Sequence, residues 1–293
     1  MFDLPFPEMA VFILVVVICF AAAVVGILQL LRQSEKLRRS LFALVSLVVT
    51  LEAVILIFRA IEIKAVPLTG IFESMIVLTI VFGLICLFLS IAIHKVWFAS
   101  VMVWVMLMLV LMSGIVARPA SQANAAASTP WAIAHAIAMI LSGASAMFAA
   151  ASAVLYLLAE RKLKQKNLLY ILGKVPNIEK LERMNLLGLK SCFVLMTFGL
   201  ASGIGLAATS ASLNMTAIDW LTDAKIILIT FIWLLLGTIM ILWKTAKLKK
   251  KTIAHVTLVT FALILFAVVG TSVFCGSEHN FAASNTNASK QVK

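Results

Sequence analysis

The sequence predicts an all-α fold, a polytopic bundle of about eight transmembrane helices. Of the 293 residues, 63% are hydrophobic and only 12% are charged, whereas soluble domains carry about half apolar and about a quarter charged residues. The apolar runs are continuous rather than alternating, which favours helices over a barrel, because backbone polar groups in lipid must be satisfied internally. We therefore expect an integral membrane protein.

Eight apolar runs approach the roughly 20 residues that a helix needs to cross a hydrocarbon core of about 30 Å. The start of the chain lacks the basic region of a cleavable signal, so the first run is expected to persist as a helix. The predicted helices are 9–31, 40–58, 71–93, 97–116, 131–158, 187–211, 224–243 and 253–275.

The distribution of lysine and arginine predicts the orientation of these helices. The connections 32–39, 94–96, 159–190 and 244–251 carry 18 of the 24 basic residues. Cytoplasmic loops are enriched in such residues, so both termini are predicted to face outward. The net charge of +12 is explained by these loops beside anionic lipid, and nucleic acid is not expected as a partner.

Two histidines are predicted to lie at the outer membrane face. His135 falls about one turn into the fifth predicted helix, and His279 follows the last one. Neutral imidazole is a common axial ligand of haem iron, and two imidazoles from separate elements can clamp one macrocycle. The alternative for each histidine alone is an interfacial residue with no ligand.

Side chains near these histidines are suited to the rest of a haem. Trp220 is an indole placed to stack on a porphyrin, although its alternative is a simple interface anchor. Lys225 or Arg118 is placed to pair with a propionate. The four cysteines are scattered singly, which argues against a thiol oxidoreductase or a cysteine-ligated metal site.

Four segments resemble motifs of the cytochrome c assembly family, the CcsA/ResC/CcmC-like haem-handling membrane proteins. Residues 67–74 resemble its P-L-S/T-N-L-Y-E-S segment, and Trp131 with His135 resembles its W-x-x-x-H element. Residues 270–281 resemble the closing element that holds a second external histidine. Residues 220–225, which include Asp223, are similar to the end of its W-x-W-D-P-K motif.

The sequence also departs from the family pattern. Thr222 and Ala224 replace a tryptophan and a proline of the tryptophan-rich motif, and the family's two histidines within the membrane, expected at Ala65 and close to Trp243, are absent. The chain therefore resembles a divergent member, near the smaller HemX-like proteins. The resemblance gives Glu73 a role in orienting a ligand histidine or an outer loop, with snorkelling to the headgroups as its alternative.

The resemblance implies a haem-binding chaperone of cytochrome c biogenesis rather than an independent enzyme. It implies b-type, non-covalent haem held by His135 and His279, an apocytochrome c as recipient, a second membrane subunit, and a bacterial inner membrane. The expected organisation is a first helix and inner loop (1–39), a haem-handling membrane domain (40–281) and a disordered tail (282–293). The competing hypotheses are a non-haem scaffold or regulatory subunit and, less favoured, a small-molecule transporter.

Overall fold

The fold is an all-α bundle, as predicted. The structure is a computed structural model that describes residues 4–32, 34–64, 67, 71–92, 96–116, 129–164, 177–209, 223–245 and 249–270. Seven of the helices in these ranges are long and apolar enough to cross a membrane, and α4 supplies a shorter apolar stretch, Ala99–Ile115. The helices are α1 Phe6–Arg32, α2 Glu35–Ile63, α3 Ile71–Ala92, α4 Val96–Val116, α5 Pro130–Lys164, α6 Ile178–Thr209, α7 Ala224–Thr245 and α8 Lys250–Leu265.

Several helices extend beyond their predicted bounds. The prediction for α2 was 40–58, whereas the helix runs over Glu35–Ile63, and α6 begins at Ile178 rather than at residue 187. Both extensions are polar turns, which a search for apolar runs does not detect. Asn177 begins α6, because its side-chain oxygen accepts a hydrogen bond from the Glu179 backbone N–H at 3.3 Å.

A buried ion network joins the start of α1, the end of α2 and the start of α3. Arg59 donates from Nε to Glu73 Oε1 at 2.9 Å and from Nη1 to Glu8 Oε2 at 3.4 Å. All three side chains are at most 3% exposed. A buried charge is tolerated when it is paired and hydrogen-bonded, which explains how Arg59 lies inside a transmembrane helix.

The same end of the bundle holds the start of α5 and the end of α6, where the Trp131 ring packs against Gly205. The start of α7 lies there too, because Lys225 is within electrostatic range of His135. Gly143 of α5 meets Leu78 of α3, and because each residue lies in the first half of its helix, the contact agrees with two helices that run in the same direction. We call this end, where α1, α3, α5 and α7 begin, the histidine end.

The opposite end of the bundle, where α2, α4, α6 and α8 begin, is called the basic end. Lys250 at the start of α8 pairs with Glu182 of α6 at 2.7 Å. Lys190 of α6 lies over the ring of Trp243 near the end of α7, at 4.5 Å from its centre. Successive helices therefore alternate in direction, as expected for a chain that crosses a membrane repeatedly.

Helices α5 and α6 make the most extensive helix contact in the structure, and small residues line it. A Cβ atom added at Gly188 would lie only 3.0 Å from the backbone N and Cα of Ala149. Ser142 of α5 donates a hydrogen bond to the Cys192 carbonyl oxygen at 3.1 Å. Helices in lipid associate through such close packing and interhelical hydrogen bonds, so this contact fixes α5 against α6.

The ion network predicts a large effect of Arg59→Met on stability. The change removes the cation that two buried carboxylates bind, so the free energy of unfolding should fall by about 3–5 kcal/mol. Unfolding in mixed micelles of increasing denaturing detergent measures this loss. Arg161→Met, at an exposed arginine of α5, serves as the control.

The triple variant Glu8→Met, Arg59→Met, Glu73→Met should recover most of that stability, because it replaces all three buried charges with apolar side chains of similar length. An Arg59→Met protein that unfolds at the same detergent fraction as the wild type would contradict the network.

Candidate functional site

The first turn of α5 positions His135. Thr129 begins the helix, since its hydroxyl oxygen accepts a hydrogen bond from the Ala132 backbone N–H at 3.3 Å, and Pro130 occupies the first helical position, where proline is favoured. Trp131 and His135 are four positions apart in the sequence and so lie on the same face of the helix. Both side chains pack against α6.

The imidazole of His135 is oriented by a backbone carbonyl of α6. His135 Nδ1 lies 2.7 Å from the Gly199 carbonyl oxygen. A carbonyl oxygen only accepts hydrogen bonds, so Nδ1 carries the proton and Nε2 keeps its lone pair. His135 is partly buried, and Nε2 has no hydrogen-bond partner within the part of the chain that the structure describes. A carbonyl partner of this kind commonly orients a metal-ligating histidine.

Two glycines of α6 make room for the side chains of α5. A Cβ atom at Gly203 would lie 3.1 Å from His135 Nδ1, and one at Gly205 would lie 2.8 Å from the Trp131 ring. The Trp131 side chain is nevertheless 47% exposed. The two rings thus rest against the α6 backbone, and Trp131 keeps an open face on which a flat apolar ligand can stack.

Asp223 and Lys225 belong to the start of α7. The Asp223 carboxylate accepts hydrogen bonds from the backbone N–H groups of Lys225 at 2.8 Å and Ile226 at 3.4 Å. It therefore caps the helix and fixes the position at which Lys225 leaves it. Because Lys225 is within electrostatic range of His135, its charge lies near the imidazole, where it also interacts with the Asp223 carboxylate.

Glu73 lies in the ion network rather than at the membrane surface. Its side chain is fully buried and accepts the hydrogen bond from Arg59, so it does not snorkel to the headgroups. It holds the start of α3 against α2 at the histidine end. Any influence on the imidazole would pass through this helix packing.

Three predicted site residues, His279, Trp220 and Arg118, lie outside the described residues, as does Cys275. The described chain leaves α8 through a π turn, Phe266–Gly270. Thr257 of α8 bonds to Asn185 of α6 at 3.0 Å, and the two helices run in the same direction, so this turn lies towards the histidine end. His279 follows it nine residues later.

Trp243, which lies close to the position where the resemblance expects a histidine within the membrane, makes a contact of another kind. The Trp243 ring lies under the Lys190 ammonium, a cation–π contact that stabilises the basic end. Ala65, at the second such position, lies outside the described residues. Within the described ranges, no group of three or more histidine, cysteine or acidic residues is suited to a metal ion. Among the described residues, the candidate ligand is the imidazole of His135, with the aromatic and cationic groups that lie near it.

Sequence reasoning missed the residues of α6 that orient His135. The signal was present, because Gly199, Gly203 and Gly205 include the G-x-x-x-G spacing of close helix pairs. It also missed the pairing of Arg59 with Glu8, since those residues are 51 positions apart. Cys19, Cys86 and Cys192 are free and buried, and free buried cysteines behave as small apolar side chains.

The comparison with protein families identifies the chain. The family described as "Cytochrome C assembly protein" matches residues 11–276, which is most of its length. None of the curated proteins or solved structures compared with the chain matches it. The protein is thus a multi-pass membrane protein with a role in cytochrome c biogenesis, and it belongs to the cytochrome c assembly protein family.

Proposed function

We propose that the protein binds one b-type haem non-covalently at the histidine end, with His135 and His279 as its axial ligands, and presents it to an apocytochrome c. One observation carries the proposal. The hydrogen bond from Nδ1 to the Gly199 carbonyl oxygen leaves Nε2 of His135 in the form that binds iron. The family's part in cytochrome c assembly supplies the reason to expect haem as the ligand.

The residues around His135 fit the other parts of a haem. Trp131, with its exposed ring face, and Trp220 are the proposed stacking residues. Lys225 and Arg118 are the proposed partners of the propionates. Asp223 contributes by fixing the start of α7, and Glu73 by fixing the start of α3.

The haem supplies the iron and the vinyl groups for attachment, and the protein supplies its orientation. His135 and His279 would hold the iron, and two imidazole ligands would protect it from oxygen chemistry until the haem is passed on. The thiols come from the apocytochrome. The proposed role is therefore binding and presentation, and residues 40–281 are the proposed haem-handling unit.

We also propose that the protein lies in a bacterial inner membrane beside a second membrane subunit. The last part of the proposal is the outward orientation of the histidine end. Its support is the charge distribution, because Arg59, Lys64 and Lys225 are the only basic residues described at this end, and Arg59 is paired. The described ranges place the following basic residues at the opposite end: Arg32, Lys36, Arg38, Arg39, Arg161, Lys162, Lys164, Lys180, Arg183, Lys190, Lys244, Lys249, Lys250 and Lys251. By the positive-inside rule, this excess of basic residues supports a cytoplasmic location for that end.

Haem content tests the proposal. Protein purified in detergent and supplied with haem should show a Soret band, and His135→Ala and His279→Ala should each remove most of it, because each removes an axial ligand. His255→Ala is the matched control, since His255 also bonds through Nδ1 to a backbone carbonyl oxygen, that of Lys251, but lies at the basic end. A folded, colourless wild type would instead favour a non-haem scaffold or regulatory subunit.

Gly203→Ala tests the orientation of the imidazole without removing it. The new methyl group would lie 3.1 Å from Nδ1 and 3.2 Å from Cε1 of His135, so the ring must shift. Haem affinity should fall by about 10- to 100-fold, as when other supports of a metal ligand are changed. Haem titration followed by absorbance measures it.

Gly237→Ala provides the control, because its methyl group would approach a ring at a similar distance, 3.3 Å, but the ring is that of Phe193. Equal haem affinities of the two variants, with both proteins folded, would show that the contact between Gly203 and His135 does not orient the imidazole for haem binding.

A further inference from the structure

A cavity of about 340 Å³ opens between α2, α3 and α4 at the basic end. Its wall is mostly apolar and includes Leu41, Val45 and Leu87, while Arg38 and Arg39 lie at its α2 margin. The volume is at the lower end of the roughly 300–1,000 Å³ typical of ligand sites. It is separate from the haem site, which lies at the other end of the bundle.

The cavity carries positive charge at its margin, from Arg38 and Arg39. Arg39 is exposed and has no hydrogen bond or ion pair within the described residues. Arg38 contacts Glu35 Oε2 from Nη2 at 2.9 Å and from Nε at 3.0 Å, but their side chains are 31% and 69% exposed, and such surface pairs are weak. None of the residues that line the cavity is acidic, so both guanidinium groups are available to a phosphate.

The remaining polar group of the wall is already engaged. The Ser90 hydroxyl donates its hydrogen bond to the Cys86 carbonyl oxygen at 2.7 Å, so it offers no donor to a ligand. A phosphate that bound only the arginines would leave the apolar wall uncovered. The wall opens beside residues that face lipid, such as Phe88 and Ile91, which are 69% and 63% exposed.

From this arrangement we propose that the cavity binds an anionic phospholipid, with an acyl chain against the apolar wall and the headgroup phosphate on Arg38 and Arg39. Arginine binds phosphate through paired N–H donors. Basic pockets between helices on the cytoplasmic side are suited to anionic headgroups. The bound lipid fills the space between α2, α3 and α4 and holds their ends together.

Native mass spectrometry of the purified protein tests the proposal with phosphatidylglycerol and phosphatidylcholine of identical acyl chains. The wild type should retain phosphatidylglycerol about 10- to 30-fold more strongly, since each arginine near the headgroups adds a separate attraction. The double variant Arg38→Gln, Arg39→Gln should lose this preference. Arg161→Gln with Arg183→Gln removes the same charge from exposed residues outside the cavity and should retain it.

Two further experiments test the role of the apolar wall and distinguish a lipid phosphate from a free phosphate compound. Ala99→Leu should fill the cavity and weaken retention of both lipids, although both arginines remain. Glycerol 3-phosphate, which has a phosphate but no acyl chain, should not compete. If the double arginine variant does not fold, Arg39→Gln alone provides the test, because this side chain is exposed.

Three results would overturn the lipid site: equal retention of the two lipids by the wild type, an unchanged preference in the arginine variants, or effective competition by glycerol 3-phosphate. Haem content is independent of all of them, because the cavity and His135 lie at opposite ends of the bundle.

Discussion

The close contact between α5 and α6 determines how the functional end of the bundle is built. In lipid there is no hydrophobic force to drive helices together, so association depends on packing and on interhelical hydrogen bonds. Gly188 and Ala149 bring the backbones into contact, and farther along Gly203 admits the His135 ring. The Gly199 carbonyl oxygen then orients that ring. The tautomer of His135 is thus a consequence of helix packing.

The ion network makes a comparable contribution on the other side of the histidine end. Arg59 links Glu8 and Glu73 across three helices while all three side chains are buried. Charges in this setting are stable only together, so the network specifies which helix ends meet. It fixes the starts of α1 and α3 on the same side of the membrane as the imidazole, although it adds no ligand of its own.

The sequence was sufficient to predict the helices but not the contacts between them. Continuous apolar runs identified all eight helices, whereas the charged first turns of α2 and α6 were missed because their residues are polar. His135 was found from its motif, but its orientation depends on a backbone carbonyl 64 residues away. Similarly, Asp223 was assigned from a motif to the haem site, and the structure shows that it caps α7. The interactions that were missed are long-range or involve backbone atoms, which residue patterns do not reveal.

Electron paramagnetic resonance of the haem-loaded ferric protein tests the ligation of iron by His135 most directly. The account predicts a low-spin signal typical of two imidazole ligands in the wild type, its loss in His135→Gly, and its return when free imidazole is added to that variant. The same low-spin signal in His135→Gly without added imidazole would contradict it, because the iron would then be held by other residues.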